Sequence, residues 1–231
     1  MKLLLLSSSR AGQSGYLETA REAIYQHTSQ CKNIVFIPYA GVTINHDEYT
    51  AMVQNALPEL SIRGIHTWEK PLSAIREADA IFIGGGNTFN LLYSLYRYDL
   101  VDAIKEKVQD GALYVGWSAG SNVAGKTIRT TNDMPIIEPP SFTALNLVPF
   151  QINPHFTNYQ PPGHNGETRT DRLNEFMILN PDTPVLAIPE GTGLLVEQGK
   201  YEIIGEGESY VFQNGEQITV SDQAHLQALL P

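Results

Sequence analysis

The segment Gly116-Trp117-Ser118-Ala119-Gly120 holds the residues best arranged for chemistry in this chain. A serine with glycines two residues either side, between a short apolar run and a helical pattern, has the context of a nucleophile elbow. Such a turn strains its central residue and exposes the side chain, while the glycines let neighbouring backbone approach. The amide of Ala119 would then face a developing oxyanion at a helix N-terminus, where the helix dipole favours negative charge. A plain strand-to-helix turn with a capping serine uses the same residues.

A serine hydroxyl is a weak nucleophile without a base, and six histidines are available. His27 falls in the first helical pattern and His225 near the C-terminus, both read as surface positions. His46 and His66 stand at loop or strand ends with no evident partner. His155, in Ile152-Asn153-Pro154-His155-Phe156, and His164, in Pro161-Pro162-Gly163-His164-Asn165-Gly166, both lie in loops. Loops at strand ends commonly carry a catalytic base, and spacing alone does not separate the two. The base needs an acceptor to orient it. Glu190 follows the apolar run Val185–Ile188 and is framed by Pro189 and Gly191, a placement that suits a site. Asp133 competes with it, whereas helical phase gives Asp171 a surface or capping role.

A second glycine-rich turn, Gly84-Gly85-Gly86-Asn87-Thr88, also joins an apolar run to a helical pattern. It lacks the spacing of a dinucleotide fingerprint and the lysine of a P-loop. Its glycines are read as backbone N–H donors to an oxyanion hole, with Asn87 or Thr88 capping the next helix. The histidines are scattered and no cysteine pair exists, so neither a metal nor a cofactor is expected.

Positioning these groups requires a scaffold, and the hydrophobic pattern describes one. The runs Leu3–Leu6, Ile34–Ile37, Ala80–Ile83 and Ala112–Val115 are continuous rather than alternating, as for parallel strands buried on both faces. Helical patterns over Tyr16–Gln30, Asp47–Leu57, Asn87–Tyr98 and Val101–Asp110 intervene, giving βαβ units and a mostly parallel α/β sheet. Glu167–Leu179 reads as a further helix. After Val185–Ile188 come four short runs, Leu194–Glu197, Tyr201–Ile204, Ser209–Phe212 and Gln217–Val220, separated by hairpin signals such as Asn214-Gly215. They are expected to form a C-terminal antiparallel extension at the sheet edge. The 231 residues are read as one domain, 1–231.

Composition narrows the partners. The net charge is -10 and no Lys/Arg cluster occurs, which argues against nucleic acid and against a basic membrane-binding helix. An acidic protein that handles an acidic substrate must supply positive charge locally, so single arginines become informative. The one cysteine, Cys31, allows no intramolecular disulfide, fits a reducing, cytoplasmic compartment and is read as an inert thiol. The N-terminal leucines are too few for a signal-peptide core and read as a buried strand. No apolar run approaches a transmembrane span.

Taken together, Gly84-Gly85-Gly86-Asn87-Thr88-Phe89, Gly116 to Asn122, Asn153-Pro154-His155-Phe156, Gly166-Glu167-Thr168-Arg169 and Pro189-Glu190-Gly191 resemble peptidase E, the α-aspartyl dipeptidases, over essentially the whole chain. The resemblance implies a three-layer, flavodoxin-like sheet of the class I glutamine amidotransferase type and hydrolysis of dipeptides with an N-terminal aspartate. It implies Ser118 as nucleophile, His155 rather than His164 as base and Glu190 as its orienter, with Gly86 or Gly85 and Ala119 as oxyanion donors. The order Ser118, His155, Glu190 differs from the α/β-hydrolases, where the acid precedes the histidine. Aspartate selectivity calls for a cation, and Arg169 in the matching segment is the first candidate, since a guanidinium pairs bidentately with a carboxylate. Arg172 is its substitute, Asn87 a further hydrogen-bond donor, and Asp133 or Glu138 candidates for the free α-amino group. The expected partner is a small peptide, and the protein itself a monomer or homodimer. A cyanophycinase-like exopeptidase and a non-catalytic binding module on the same fold are the alternatives. A class I amidotransferase would place cysteine where Ser118 stands.

Overall fold

The computed structural model describes residues 1–163 and 165–231; His164 lies outside the described residues. The strands are β1 (Lys2–Leu6), β2 (Ile34–Ile37), β3 (Ile62–Gly64), β4 (Ala80–Ile83), β5 (Leu113–Trp117), β6 (Gln151–Asn153), β7 (Val185–Ala187), β8 (Gly193–Glu197), β9 (Lys200–Ile204), β10 (Tyr210–Gln213) and β11 (Glu216–Thr219). The helices are α1 (Arg21–Thr28), α2 (His46–Ala56), α3 (Pro71–Glu77), α4 (Thr88–Arg97), α5 (Leu100–Gln109), α6 (Ala119–Asn122), α7 (Arg169–Leu179) and α8 (Gln223–Leu229).

Seven strands form the main sheet in the order β3-β2-β4-β5-β1-β8-β9. The first five are parallel; β8 and β9 then add antiparallel beyond β1. Side-chain alternation divides the apolar runs between two cores. Leu3, Leu5, Val35, Ile37, Ile81 and Ile83 face α3, α4 and α5. Leu4, Leu6, Ile34, Phe36, Phe82 and Trp117 face α1 and α2. A strand covered on both faces has no polar side to show, hence the unbroken apolar runs.

The C-terminal region departs from the expected edge extension. Only β8 and β9 extend the main sheet. β10 and β11 join β7 and β6 in a separate four-stranded sheet, order β11-β10-β7-β6. Its inner residues Ile152, Leu186 and Val211 pack into the first core, while Val185, Ala187 and Phe212 take Leu173 and Met177 of α7 on the other side. The signals Gln198-Gly199 and Asn214-Gly215 mark true hairpins, β8–β9 and β10–β11, whereas Gly205-Glu206-Gly207 carries the chain from one sheet to the other; a turn signal is local, and which older strand a hairpin docks on is not. The first helix is also shorter than its pattern. Leu17, fully buried, has φ of 54°, a left-handed conformation that a helix cannot pass through. A 3₁₀ turn at Glu18–Ala20 and α1 follow it. β3, α3 and α8 were not read from the sequence.

The elbow is held by backbone contact. The Tyr114 hydroxyl donates to the Gly120 carbonyl at 2.6 Å, and a Cβ on Gly120 would strike the Ile83 carbonyl of β4. That carbonyl is buried backbone and cannot rotate away. Gly120→Ala is therefore expected to cost about 3 kcal/mol. Differential scanning calorimetry would register this as a melting point lowered by about 6–12 °C.

Candidate active site

Five strand ends converge on one place. In open α/β sheets, sites form beyond the carboxyl ends of the strands, and here Ser7 follows β1, Gly84–Gly86 follow β4, Ser118 follows β5, His155 follows β6 and Glu190 follows β7. Ser118 has φ 53° and ψ -113°, an unfavourable conformation for a non-glycine residue. Its amide donates to Leu6 O at 3.1 Å. The residue is thereby held with its hydroxyl 2.9 Å from Nε2 of His155, whose Nδ1 lies 2.8 Å from Oε1 of Glu190. The relay opens outward: the His155 side chain is 35% exposed and that of Glu190 55%.

His155 also has a positive φ, 54°. Its backbone N–H donates to the Ser7 hydroxyl at 2.8 Å, and that hydroxyl donates to Ile188 O at 2.9 Å. Ser7 is fully buried. One side chain of the main sheet thus fixes the two loops of the second sheet that carry His155 and Glu190. In the sequence Ser7 opens the run Ser7-Ser8-Ser9. Its position at the end of a central parallel strand was the available signal.

Gly85 lies against Ser118, since a Cβ there would stand 3.0 Å from the Ser118 Cβ. Among the described residues, the N–H groups of Gly85, Gly86 and Ala119 are engaged in no hydrogen bond outside regular elements. The helix after the elbow differs from expectation. α6 is a single turn because the segment at Leu145–Val148 takes the carbonyls of Val123 and Ala124. A helix this short adds little dipole, so any oxyanion stabilisation rests on the N–H groups themselves.

A cavity of about 220 Å³ adjoins Ser118 and His155, with Thr88, Asn122, Asp133 and Arg169 on its wall. Arg169 opens α7 and is half-buried. Its Nη1 is buried with no hydrogen-bond partner. Burial lowers the affinity of this guanidinium for its proton, Arg172 adds repulsion, and Glu190 and Asp133 act the other way. Asp133 accepts from the Thr88 amide at 2.7 Å and the Thr88 hydroxyl at 2.6 Å. Asn122 donates to Ile152 O at 2.8 Å, which leaves its own buried oxygen without a partner.

Other candidates lie elsewhere. Asn87 caps α4 by accepting from Asn90 N at 3.0 Å, and its amide nitrogen donates to Met134 O at 2.9 Å. One amide hydrogen and the amide oxygen are thus engaged, and Asn87 does not line the cavity. Arg172 is exposed beside Glu167, 3.6 Å away, and Glu138 is exposed; neither lines the cavity. Asp171 completes a capping box with Thr168. His66 pairs with Asp47 at 2.9 Å. His27 is half-buried rather than a surface residue, its Nε2 enclosed without a partner, and burial lowers its pKa. Among the described residues no cluster of His, Cys, Asp or Glu could hold a metal ion, and no helix is long and apolar enough to cross a membrane.

Residues 3–204 match a family model described as peptidase family S51. The chain is 56% identical over 216 residues to a protein named peptidase E from Shewanella denitrificans, covering 93% of this chain and 92% of that one. It is 55% identical over 219 residues to a peptidase E from Shewanella amazonensis, covering 94% and 93%. Two solved structures share the fold at TM-score 0.65. One, from Listeria monocytogenes EGD-e, is 23% identical and covers 89% of this chain and 98% of its own. The other, a peptidase from an acI-B1 Actinobacterium, is 16% identical and covers 95% and 96%.

Ser7→Ala would leave the His155 N–H without its partner, while the Ile188 carbonyl keeps the Phe156 amide at 3.1 Å. The expected cost is about 1–3 kcal/mol, the desolvation penalty of an unsatisfied buried group, read as a lower urea midpoint with an unchanged slope.

Proposed function

The chain belongs to the peptidase S51, or peptidase E, family of serine peptidases, and from that membership we propose an α-aspartyl dipeptidase in which Ser118, His155 and Glu190 act as nucleophile, base and orienter. The observation that carries the assignment of roles is the continuous relay from the Ser118 hydroxyl through both ring nitrogens of His155 to Glu190, at 2.9 and 2.8 Å. His155 takes the Ser118 proton as the oxygen attacks the scissile carbonyl, then delivers it to the departing amine. The resulting aspartyl ester is hydrolysed by water, with His155 again as base. Glu190 holds the imidazole tautomer that presents Nε2 to the serine.

The N–H groups of Ala119 and of Gly86 or Gly85 hold the oxyanion. Each such donor is worth about 10²–10³ in rate. Arg169 receives the aspartate side chain. A half-buried guanidinium with an unmatched N–H is costly until a carboxylate arrives, and that difference is available for selectivity. Asp133, fixed by Thr88 on the same wall, receives the α-ammonium group. A cavity of about 220 Å³, below the roughly 300–1,000 Å³ usual for ligand pockets, suits one small residue rather than a branched polymer. We place this activity in the cytoplasm, with the residues of one chain forming the whole site.

Ser118→Ala is expected to abolish hydrolysis of Asp-Leu and labelling by a fluorophosphonate probe. Across Asp-, Asn-, Glu- and Ala-Leu, the Asp member should dominate kcat/KM; a flat profile would sink the specificity claim. Arg169→Ala should lower kcat/KM for Asp-Leu by about 10–100-fold, the loss of a charged hydrogen bond of about 1.5–3 kcal/mol. Its effect on Ala-Leu should be small.

A further inference from the structure

A chain of hydroxyls runs beneath the glycine loop, on the side away from the cavity. Trp117 Nε1 donates to the Tyr16 hydroxyl at 3.0 Å. Tyr16 donates to the Tyr49 hydroxyl at 3.3 Å, and Tyr49 donates to the Gly85 carbonyl at 2.9 Å. The chain starts on the residue before Ser118 and ends on the loop that faces Ser118. It therefore spans both halves of the proposed oxyanion hole.

Its last bond constrains a peptide plane. Gly84 and Gly85 are consecutive, yet a Cβ on Gly84 would stand 2.5 Å from the Tyr49 hydroxyl, whereas one on Gly85 would stand 3.0 Å from the Ser118 Cβ. Tyr49 and Ser118 thus flank the loop on opposite sides. In a trans peptide the carbonyl and the following N–H point in opposite directions. With the Gly85 carbonyl turned to Tyr49, the Gly86 N–H turns to the Ser118 side.

We infer that Tyr49, backed by Tyr16 and Trp117, is a positioning residue that holds the Gly85–Gly86 peptide in the orientation that aims the Gly86 N–H at the oxyanion. The inference rests on Ser118 being the nucleophile. Packing makes the chain stiff. Tyr49 is 4% and Trp117 1% exposed. Phe36 stacks on Trp117 at 5.7 Å and meets Tyr49 edge-on at 5.0 Å. Donors in series polarise one another, so each strengthens the next. Burial also pushes both phenols above their ordinary pKa, which keeps them protonated as donors at neutral pH. Glycine at position 84 is accounted for by the same contact, since any side chain there would displace the Tyr49 hydroxyl.

Tyr49→Phe removes one oxygen and keeps the ring. A misaimed donor is a partial loss of the about 10²–10³ that a whole donor supplies. The expected result is an about tenfold fall in the fluorophosphonate labelling rate of Ser118 and in kcat on Asp-Leu. KM and the affinity for free aspartate, which makes no oxyanion, stay at wild-type values. Tyr16→Phe leaves the Tyr49–Gly85 bond in place and gives a smaller loss in the same direction. Wild-type labelling of a folded Tyr49→Phe protein overturns the inference, as does an equal loss of aspartate affinity, which would mean that the hydroxyl merely shapes the pocket. If Tyr49→Phe does not fold, Tyr16→Phe decides: slower labelling supports the inference and wild-type labelling overturns it. A wild-type protein that the probe does not label would overturn the nucleophile assignment itself, and this inference with it.

Discussion

Two adjacent residues at the end of β1 hold the site together. The Leu6 carbonyl accepts the amide of Ser118 at 3.1 Å and the hydroxyl of Ser121 at 2.7 Å. The Ser7 hydroxyl accepts the amide of His155 and donates to Ile188. Ser118 belongs to one sheet while His155 and Glu190 belong to another, and this dipeptide is where both sheets are anchored. Leu6, Ser7, Ser121 and Ile188 are buried, where water cannot readily substitute for a lost partner and a missing bond costs a desolvation penalty. The joint explains why a short relay survives between loops that are far apart in sequence. It also explains how two residues with positive φ, Ser118 and His155, are held at strained angles: each has its amide tied to the end of β1.

The charge pattern follows a different logic. The chain carries -10 overall, and its field repels an acidic substrate at long range. Attraction must therefore be local and short-ranged. Arg169 meets that need by position rather than number, standing in the cavity with one N–H unmatched and Asp133 on the same wall. A wall with one cation and one anion suits a ligand that carries both charges close together. An N-terminal aspartate has that pattern, whereas an internal aspartate has lost the ammonium. On the proposed reading, selectivity for a terminal residue and selectivity for aspartate come from the same pair of groups.

What the sequence disclosed divides along the line between local and long-range physics. Four of the five parallel strands were legible because burial on both faces leaves an unbroken apolar run, whereas β3 is three residues long with an exposed middle residue and leaves no such run. The elbow was legible because its strain is written in five consecutive residues. Asp171 was legible from helical phase as a surface or capping residue, and it caps α7. Choosing His155 over His164 required the family resemblance, because His155 meets Ser118 through the pairing of β6 with β7, which no short window records. The second sheet failed for the same reason, since a hairpin turn specifies its own two strands and not the strand they dock on. Asn87 carried two readings, and the cap was the local one. A polar side chain beside a site looks available for ligand, but a helix N-terminus with unpaired N–H groups has first claim on it.

The hydroxyl chain under the glycine loop extends this argument. Tyr49 and Trp117 belong to the aromatic core, with Tyr16 packed against it. Their polar ends are what differ. A buried Tyr or Trp must find a partner for its O–H or N–H, and here the three satisfy one another in a line that terminates on a backbone carbonyl of the glycine loop. Replacing the set with apolar aromatics would keep the packing but release the Gly85–Gly86 peptide, which as a glycine pair has the least intrinsic resistance to turning. Glycines admit the close approach that the elbow requires, and the cost is a loop with no stiffness of its own. The stiffness has to be supplied from outside, and Tyr49 is the side chain that reaches it.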